Sequence, residues 1–222
     1  MRFAKRLGGQ KINAKEGLAV GSLFNLLGDT MIIDVIIPTY KPNETFKQLV
    51  DILERQTVPI KRIIVMNTEE KYFERLIYGT HFLEKHKKVE IHHISRREFD
   101  HGRTRHLGMK KADSEFVLLM TQDAVPADDK LIEQLLMAFQ EEGVAVAYAR
   151  QLPEENCREI EKYTRSFNYP DISFIKSKEN LQELGIKTYF CSNVCAAYKR
   201  TDFVELGGFV KHTIFNEDML FA

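Results

Sequence analysis

The sequence predicts an α/β sandwich with a mainly parallel central sheet. Three observations predict it. Short apolar segments rich in Val and Ile alternate with segments whose apolar residues recur at helical spacing. The apolar segments are near-continuous runs, which is how strands covered on both faces read. Turn residues bound them, so each strand is short and leads into a helix.

Ile32–Ile37 is a β-branched run closed by Pro38 and reads as a buried first strand. In Glu44–Gln56, Phe46, Leu49, Val50 and Leu53 share one helical face. Arg62–Met66 is the second strand, Tyr72–Phe82 a helix and Val89–Ile94 the third strand. Thr104–Ala112 reads as a helix, Phe116–Thr121 as the fourth strand, Asp129–Gln140 as a helix and Val144–Tyr148 as a strand. Beyond Arg150 the pattern weakens. Asn156–Phe167 is a helix, Tyr169–Leu184 is irregular around Pro170, and Thr188–Tyr198 is extended and apolar. Thr201–Leu206 is a short helix stopped by Gly207-Gly208.

A chain of 222 residues that is 44% hydrophobic buries a core without disulfides or a structural metal. Its 32 Lys+Arg against 32 Asp+Glu leave a formal net charge of zero, which argues against a nucleic-acid binder. The balance hides an asymmetry. Residues 1–30 hold five basic residues (Arg2, Lys5, Arg6, Lys11, Lys15) and two acidic ones (Glu16, Asp29), leaving the remainder three negative. Their periodicity is weak, so they read as an N-terminal extension. The fold is expected to begin at Met31, which is the expected functional start, with residues 31–222 as its domain. The basic start is followed by a stretch broken at Ser22 and Asn25, which is not a signal peptide, and no apolar run reaches the length of a membrane span. Cys157, Cys191 and Cys195 have no zinc spacing and are expected to be free thiols of a reducing compartment.

Missing motifs narrow the chemistry. There is no GxGxxG after the first strand, no GxxxxGK[ST], no GxSxG and no HExxH. In an open parallel sheet, ligands bind beyond the carboxyl ends of the strands. Those ends carry Pro38-Thr39-Tyr40, Asn67-Thr68-Glu69, Ser95 to Gly102, and Thr121-Gln122-Asp123-Ala124. Nine basic residues between Lys85 and Lys111 suit a diphosphate, with Arg96, Arg103 or Arg105 as candidates. Asp123, at a strand end, is a candidate Mg²⁺ or Mn²⁺ ligand or else a turn cap. Glu217-Asp218 is a carboxylate pair that could equally be the acidic first turn of a helix. His92-His93 alternates across a strand and is not expected to hold metal.

Five motifs in order resemble one family, the GT-A-fold, family 2 inverting glycosyltransferases, in the rhamnosyltransferase-like branch. They are Val35-Ile36-Ile37-Pro38-Thr39-Tyr40, then Phe99-Asp100-His101-Gly102-Arg103-Thr104-Arg105-His106-Leu107-Gly108, and Thr121-Gln122-Asp123-Ala124-Val125-Pro126. Ser192-Asn193-Val194-Cys195-Ala196-Ala197 and Asn216-Glu217-Asp218-Met219 complete the set. The resemblance implies transfer of rhamnose or a similar deoxysugar from a dTDP- or UDP-linked donor to a saccharide or lipid-linked saccharide acceptor in cell-surface polysaccharide synthesis. Pro38, Thr39, Tyr40, Asn67, Asp100, Arg105 and Gln122 would contact the donor. Asp123 would match the last Asp of the family's D-x-D metal motif, whose first position here is Thr121, so Mg²⁺ or Mn²⁺ would be held by one carboxylate and the phosphates. Asn193 and Glu217 would lie on the acceptor side, and Asp218 would be the catalytic base. The resemblance further implies a cytoplasmic enzyme, with peripheral association at the inner face of the membrane left open. The motif order also leads us to expect a C-terminus shorter than the family's, and therefore the alternative of a nucleotide-sugar-binding remnant without turnover. A sugar nucleotidyltransferase would want a Gly-rich basic loop where Pro38-Thr39-Tyr40-Lys41-Pro42 stands.

Overall fold

The computed structural model describes residues 2–4, 31–154, 156–213 and 216–222. The predicted extension over residues 1–30 lies outside the described residues except for one strand, β1 (Arg2–Ala4). The strands that follow are β2 (Ile33–Tyr40), β3 (Ile60–Thr68), β4 (Val89–Ile94), β5 (Phe116–Met120), β6 (Val125–Pro126), β7 (Val146–Tyr148), β8 (Arg150–Leu152) and β9 (Cys195–Lys199). The helices are α1 (Glu44–Leu53), α2 (Glu70–Ile77), α3 (Phe82–Lys85), α4 (His101–Lys111), α5 (Leu131–Leu136), α6 (Glu159–Asn168), α7 (Leu181–Leu184), α8 (Arg200–Glu205) and α9 (Glu217–Phe221).

Six strands form the central sheet in the order β4-β3-β2-β5-β9-β7. β4, β3, β2 and β5 pair in parallel, whereas β9 runs antiparallel to both β5 and β7. The predicted α/β sandwich with its mainly parallel sheet is therefore the observed fold. β1 joins β6 and β8 in a small second sheet.

Two-residue periodicity divides the core between the two faces of the sheet. Ile33, Val35 and Ile37 of β2 pack with Ile63, Val65, Leu118 and Met120 under α1 and α5. Ile36, Ile64, Met66, Val117 and Leu119 face the other way, onto Met109 of α4 and Phe203 of α8. Apolar runs alternate between two cores, which is why the stretch from Ile33 to Ile37 and β5 show no polar face. Asp34 is the exception. It is fully buried, and Arg62 and the backbone N–H groups of Asp113 and Ser114 satisfy its carboxylate. A buried charge survives only when paired and hydrogen-bonded in this way.

The chain stays short wherever the local chemistry stops it. Asn43 caps α1 by accepting from the Thr45 N–H at 3.0 Å. The predicted helix Tyr72–Phe82 is divided into α2 and α3, because Gly79 takes a positive φ of 66° between them. The predicted extended run Thr188–Tyr198 becomes a strand only from Cys195. Residues Gly185–Tyr189 instead form a 3₁₀ turn.

Candidate active site

Starting from β2, the sheet adds β3 and β4 on one side and β5 on the other. The strand order thus reverses between β2 and β5, and the crevice beyond their carboxyl ends is where such folds bind ligands. The β2–β5 ladder ends at Ile36 and Leu119. Beyond it, Gln122 takes over. The Tyr40 N–H donates to Gln122 Oε1 at 3.0 Å, and Gln122 Nε2 donates to the Tyr40 carbonyl at 3.0 Å. This side-chain amide continues the ladder across the crevice mouth and fixes both strand ends.

The wall on the β3 side is a relay of polar side chains. Thr39 Oγ1 donates to Asn67 Oδ1 at 3.0 Å, and Asn67 Nδ2 lies 2.9 Å from His93 Nδ1. With the amide donating, His93 carries its proton on Nε2, 3.8 Å from Glu70 Oε1. Thr39 and Asn67, expected on the donor, are buried and engaged with each other, while Pro38 is half-buried in the ladder opposite Met66. At the rim the Tyr40 and Tyr72 rings meet edge to face at 5.5 Å, with Lys41 Nζ 5.1 and 5.2 Å from their centroids. A cleft of about 460 Å³ lined by Lys41, Tyr72 and Arg75 opens beside them. Sequence reasoning did not connect these residues to Tyr40.

On the β5 side, the Thr121 N–H donates to the Val194 carbonyl at 3.1 Å, and a tight turn closes from the Ala124 N–H to the Thr121 carbonyl at 3.1 Å. Asp123 is exposed in that turn. Among the described residues no hydrogen bond or ion pair engages it, so it is not the turn cap that the spacing allowed. Nor, among the described residues, do three His, Cys, Asp or Glu side chains gather in a metal-binding group. One free carboxylate suits a hard cation that takes its remaining ligands from phosphate and water, and does not make a protein-only cage.

Asp100 is the N-cap of α4, its Oδ1 accepting from the Arg103 N–H at 2.8 Å. Gly102, in the first turn, permits a close approach. A Cβ there would lie 2.1 Å from the Val210 carbonyl oxygen in the segment that leads toward α9. Gly102→Ala is therefore expected to push that segment away and cost about 1–3 kcal/mol of stability, read by urea unfolding. Gly208, at φ 75°, is held against His106 in the same way.

Arg105 meets an arrangement different from the predicted diphosphate contact. Its guanidinium is 7% exposed, and Nη1 pairs with Glu217 Oε1 at 2.8 Å. Glu217, 4% exposed, also accepts from Asn193 Nδ2 at 3.2 Å. Both side chains expected on the acceptor side, Asn193 and Glu217, thus turn inward.

Asp218 lies half-buried at the edge of a cleft instead. Its Oδ2 accepts from the Asn193 backbone N–H and its Oδ1 from the Met219 N–H, both at 2.9 Å. Burial pushes its pKa above the ordinary carboxylate range, and the neighbouring charge of Glu217 adds to this, while the two N–H donors and Arg105 oppose it. Asp218 lines a cleft of about 410 Å³ with Gln151, Arg165, Tyr169, Ser192 and Phe190. Gln151 Nε2 donates to Ser192 Oγ at 3.2 Å, and Arg165 donates to Gln151 Oε1. Among these cleft residues only Ser192 lay within a motif.

Of the predicted site residues, Tyr40, Gln122, Asn193, Asp218, Glu217 and Arg105 lie along one arc of hydrogen bonds and chain connections. It runs from Tyr40 through Gln122 to the Thr121 turn, across Val194 to Asn193, and on to Asp218, Glu217 and Arg105. Asp100 stands behind it as a helix cap.

A mainly parallel sheet with a crevice at the point where its strand order reverses is the doubly wound α/β class of fold. Residues 34–207 match Glycosyl transferase family 2, and the chain belongs to that family. It is 37% identical over 193 residues to the O-antigen chain rhamnosyltransferase RfbN of Salmonella typhimurium, covering 86% of this chain and 60% of that protein. It is 36% identical over 190 residues to the O-antigen chain rhamnosyltransferase WbaN of Salmonella anatum, covering 85% of this chain and 58% of that protein. The chain thus spans about 60% of the length of the curated relatives it matches. Among solved structures, S. aureus TarS superposes with a TM-score of 0.59 at 18% identity, over 86% of this chain and 54% of that one. The mannosyltransferase PcManGT of Pyrobaculum calidifontis, in complex with GDP-Man and Mn²⁺, superposes with a TM-score of 0.56 at 16% identity, over 84% and 49%. These two likenesses bear on the fold. No helix among the described residues is long and apolar enough to cross a membrane.

Proposed function

We propose that the chain is an inverting glycosyltransferase that moves rhamnose or a similar deoxyhexose from a nucleoside-diphosphate donor to a saccharide acceptor of cell-surface polysaccharide. The observation that carries this reading is Asp218. It is a carboxylate held by two backbone N–H groups, with raised basicity, at the edge of a cleft large enough for a sugar. The rhamnosyltransferases RfbN and WbaN support the choice of donor sugar.

In this reading Asp218 takes the proton of the acceptor hydroxyl as its oxygen attacks the anomeric carbon. The bond from that carbon to the diphosphate breaks on the opposite face, and the nucleoside diphosphate leaves with the electron pair. A base whose pKa is raised accepts the proton more readily once it is ionised. Tyr40, Gln122 and the Thr39–Asn67 pair shape the donor crevice. Asp123 would hold a Mg²⁺ or Mn²⁺, whose chemistry there is to neutralise charge on the diphosphate. Arg105, neutralised by Glu217, acts by holding that carboxylate beside Asp218. We place the chain in the cytoplasm, where nucleotide sugars are the donors, with a lipid-linked saccharide as one form of acceptor.

The test is transfer from dTDP- and UDP-linked sugars to saccharide acceptors, with the anomeric configuration of the product read by NMR. Inverted product supports the proposal; retained configuration overturns it. Donor binding without turnover would leave the nucleotide-sugar-binding remnant as the better reading. Asp123→Asn is expected to raise the Mn²⁺ concentration for half-maximal activity about tenfold or more, the effect of losing a charged ligand. Unchanged Mn²⁺ titration of that variant would remove Asp123 from the metal.

A further inference from the structure

Tyr198 has no place in the motifs and does not line the Asp218 cleft, yet its hydroxyl reaches the residue that holds Asp218. It lies in β9, fully buried. Its ring is wedged edge to face against Phe209 at 5.5 Å, Phe221 at 5.4 Å and Phe203 at 6.2 Å. Phe221 belongs to α9, the helix that also carries Glu217 and Asp218. The phenol is thereby fixed in position relative to the carboxylates, and its O–H donates to Asn193 Oδ1 at 2.7 Å.

The consequence follows from the two-faced chemistry of an amide. Asn193 can present either its oxygen or its NH₂ to Glu217, and only the NH₂ suits a carboxylate. The Tyr198 hydroxyl, donating to Oδ1 from the far side, reinforces that orientation. Nδ2 faces Glu217, where it lies 3.2 Å from Oε1. The same residue's backbone N–H then meets Asp218 Oδ2 at 2.9 Å. We infer that Tyr198 is a positioning residue for the transfer reaction, acting through the Asn193 amide to hold the Asp218 carboxylate in place. This rests on the reading of Asp218 as the base.

The charged surroundings of Asp218 set the sign of the expected effect. Glu217 shares its helix, Arg105 approaches from α4, and Tyr169 and Cys191 flank it. Glu161 and Arg165 line the same cleft from α6. Of these, Glu217 disfavours the ionised form of Asp218, and the Asn193 N–H favours it. If Asn193 loosens, the N–H contribution falls while burial and Glu217 remain. The carboxyl then becomes harder to ionise.

The experiment is the pH–rate profile of Tyr198→Phe beside wild type, Asp218→Asn and Asn193→Ala. Tyr198→Phe is expected to lower kcat about tenfold, the effect of one lost hydrogen bond, with donor and acceptor KM little changed. Its acid limb is expected to move up by about half to one pH unit. Asn193→Ala is expected to move the limb in the same direction. In the double variant the second change should add little, because both act on one contact. A loss that is merely structural would lower kcat and thermal stability without moving the limb, and would add to the Asn193→Ala effect. If Asp218→Asn is inactive while the acid limb of Tyr198→Phe superimposes on wild type, the positioning role is wrong. If Asp218→Asn keeps its activity, the base assignment itself is wrong, whatever Tyr198→Phe does.

Discussion

Asp218→Asn is expected to lower kcat by about 10²–10⁴-fold, the usual contribution of a positioned general base. Donor affinity, measured by calorimetry, should not change. The variant keeps one of the two backbone contacts, because an amide oxygen still accepts from the Asn193 N–H that meets Oδ2 at 2.9 Å in the wild type, while the NH₂ cannot accept from the Met219 N–H. Stability should rise slightly at neutral pH, since burial disfavours the native carboxylate. The sign of the pH dependence follows from the raised pKa. A carboxyl whose folded pKa exceeds its unfolded value contributes stability that is fully present below the unfolded value. That contribution is lost as pH rises through the folded value. Asp218→Asn should therefore gain on wild type in urea unfolding as pH rises above the ordinary carboxylate range, and match it in more acid solution. The activity of the wild type should fall through the same window in the opposite sense, because only the ionised form takes a proton. A variant with full turnover, or a stability difference that does not vary across that window, would contradict the assignment.

The parts of this site that are readable in the sequence are those whose geometry is local. Asp100 precedes α4 as a cap, and Thr121 to Ala124 form a turn at a strand end; both follow from their neighbours in the chain. β2, β3 and β5 are readable because most of their residues are buried on both faces, so that composition alone marks them. Val89–Ile94 has the same bounds in sequence and structure. What the sequence hides is pairing at a distance. Gln122 lies 82 residues from Tyr40, and Asn193 lies 24 residues from Glu217. No periodicity announces either contact. Arg105 shows the cost of reading charge without its partner. As one of a basic cluster it suggested a diphosphate ligand, whereas the fold brings α9 back onto α4 and gives its guanidinium to Glu217. Thr188–Tyr198 misled in another way. Part of its apolar content lines clefts, through Phe190 and Cys191, and so resembled a strand that begins only at Cys195.

Breaking the Arg105–Glu217 pair is expected to be the most damaging change to folding in the site. Both groups are buried, and their 2.8 Å contact is the charge compensation each relies on. Arg105→Met strands the Glu217 carboxylate with the Asn193 amide as its remaining donor, which is expected to cost about 3–5 kcal/mol. For a chain of this size that is a fall in melting temperature of about 6–20 °C. Replacing both members by apolar residues, Arg105→Met with Glu217→Met, removes the stranded charge. It should recover much of the loss, so the two changes should be strongly non-additive. The catalytic effects of the single variants should point in opposite directions. Glu217→Gln removes a negative neighbour of Asp218 and leaves the positive charge of Arg105 uncompensated, and both changes favour the ionised base. Its acid limb should move to lower pH. Arg105→Met removes the positive charge and leaves the negative one, so its acid limb should move to higher pH. Opposite displacements would establish that the pair tunes the base electrostatically as well as holding α9 against α4. Displacements of the same sign would mean that disorder at the α4–α9 contact, rather than charge, controls Asp218.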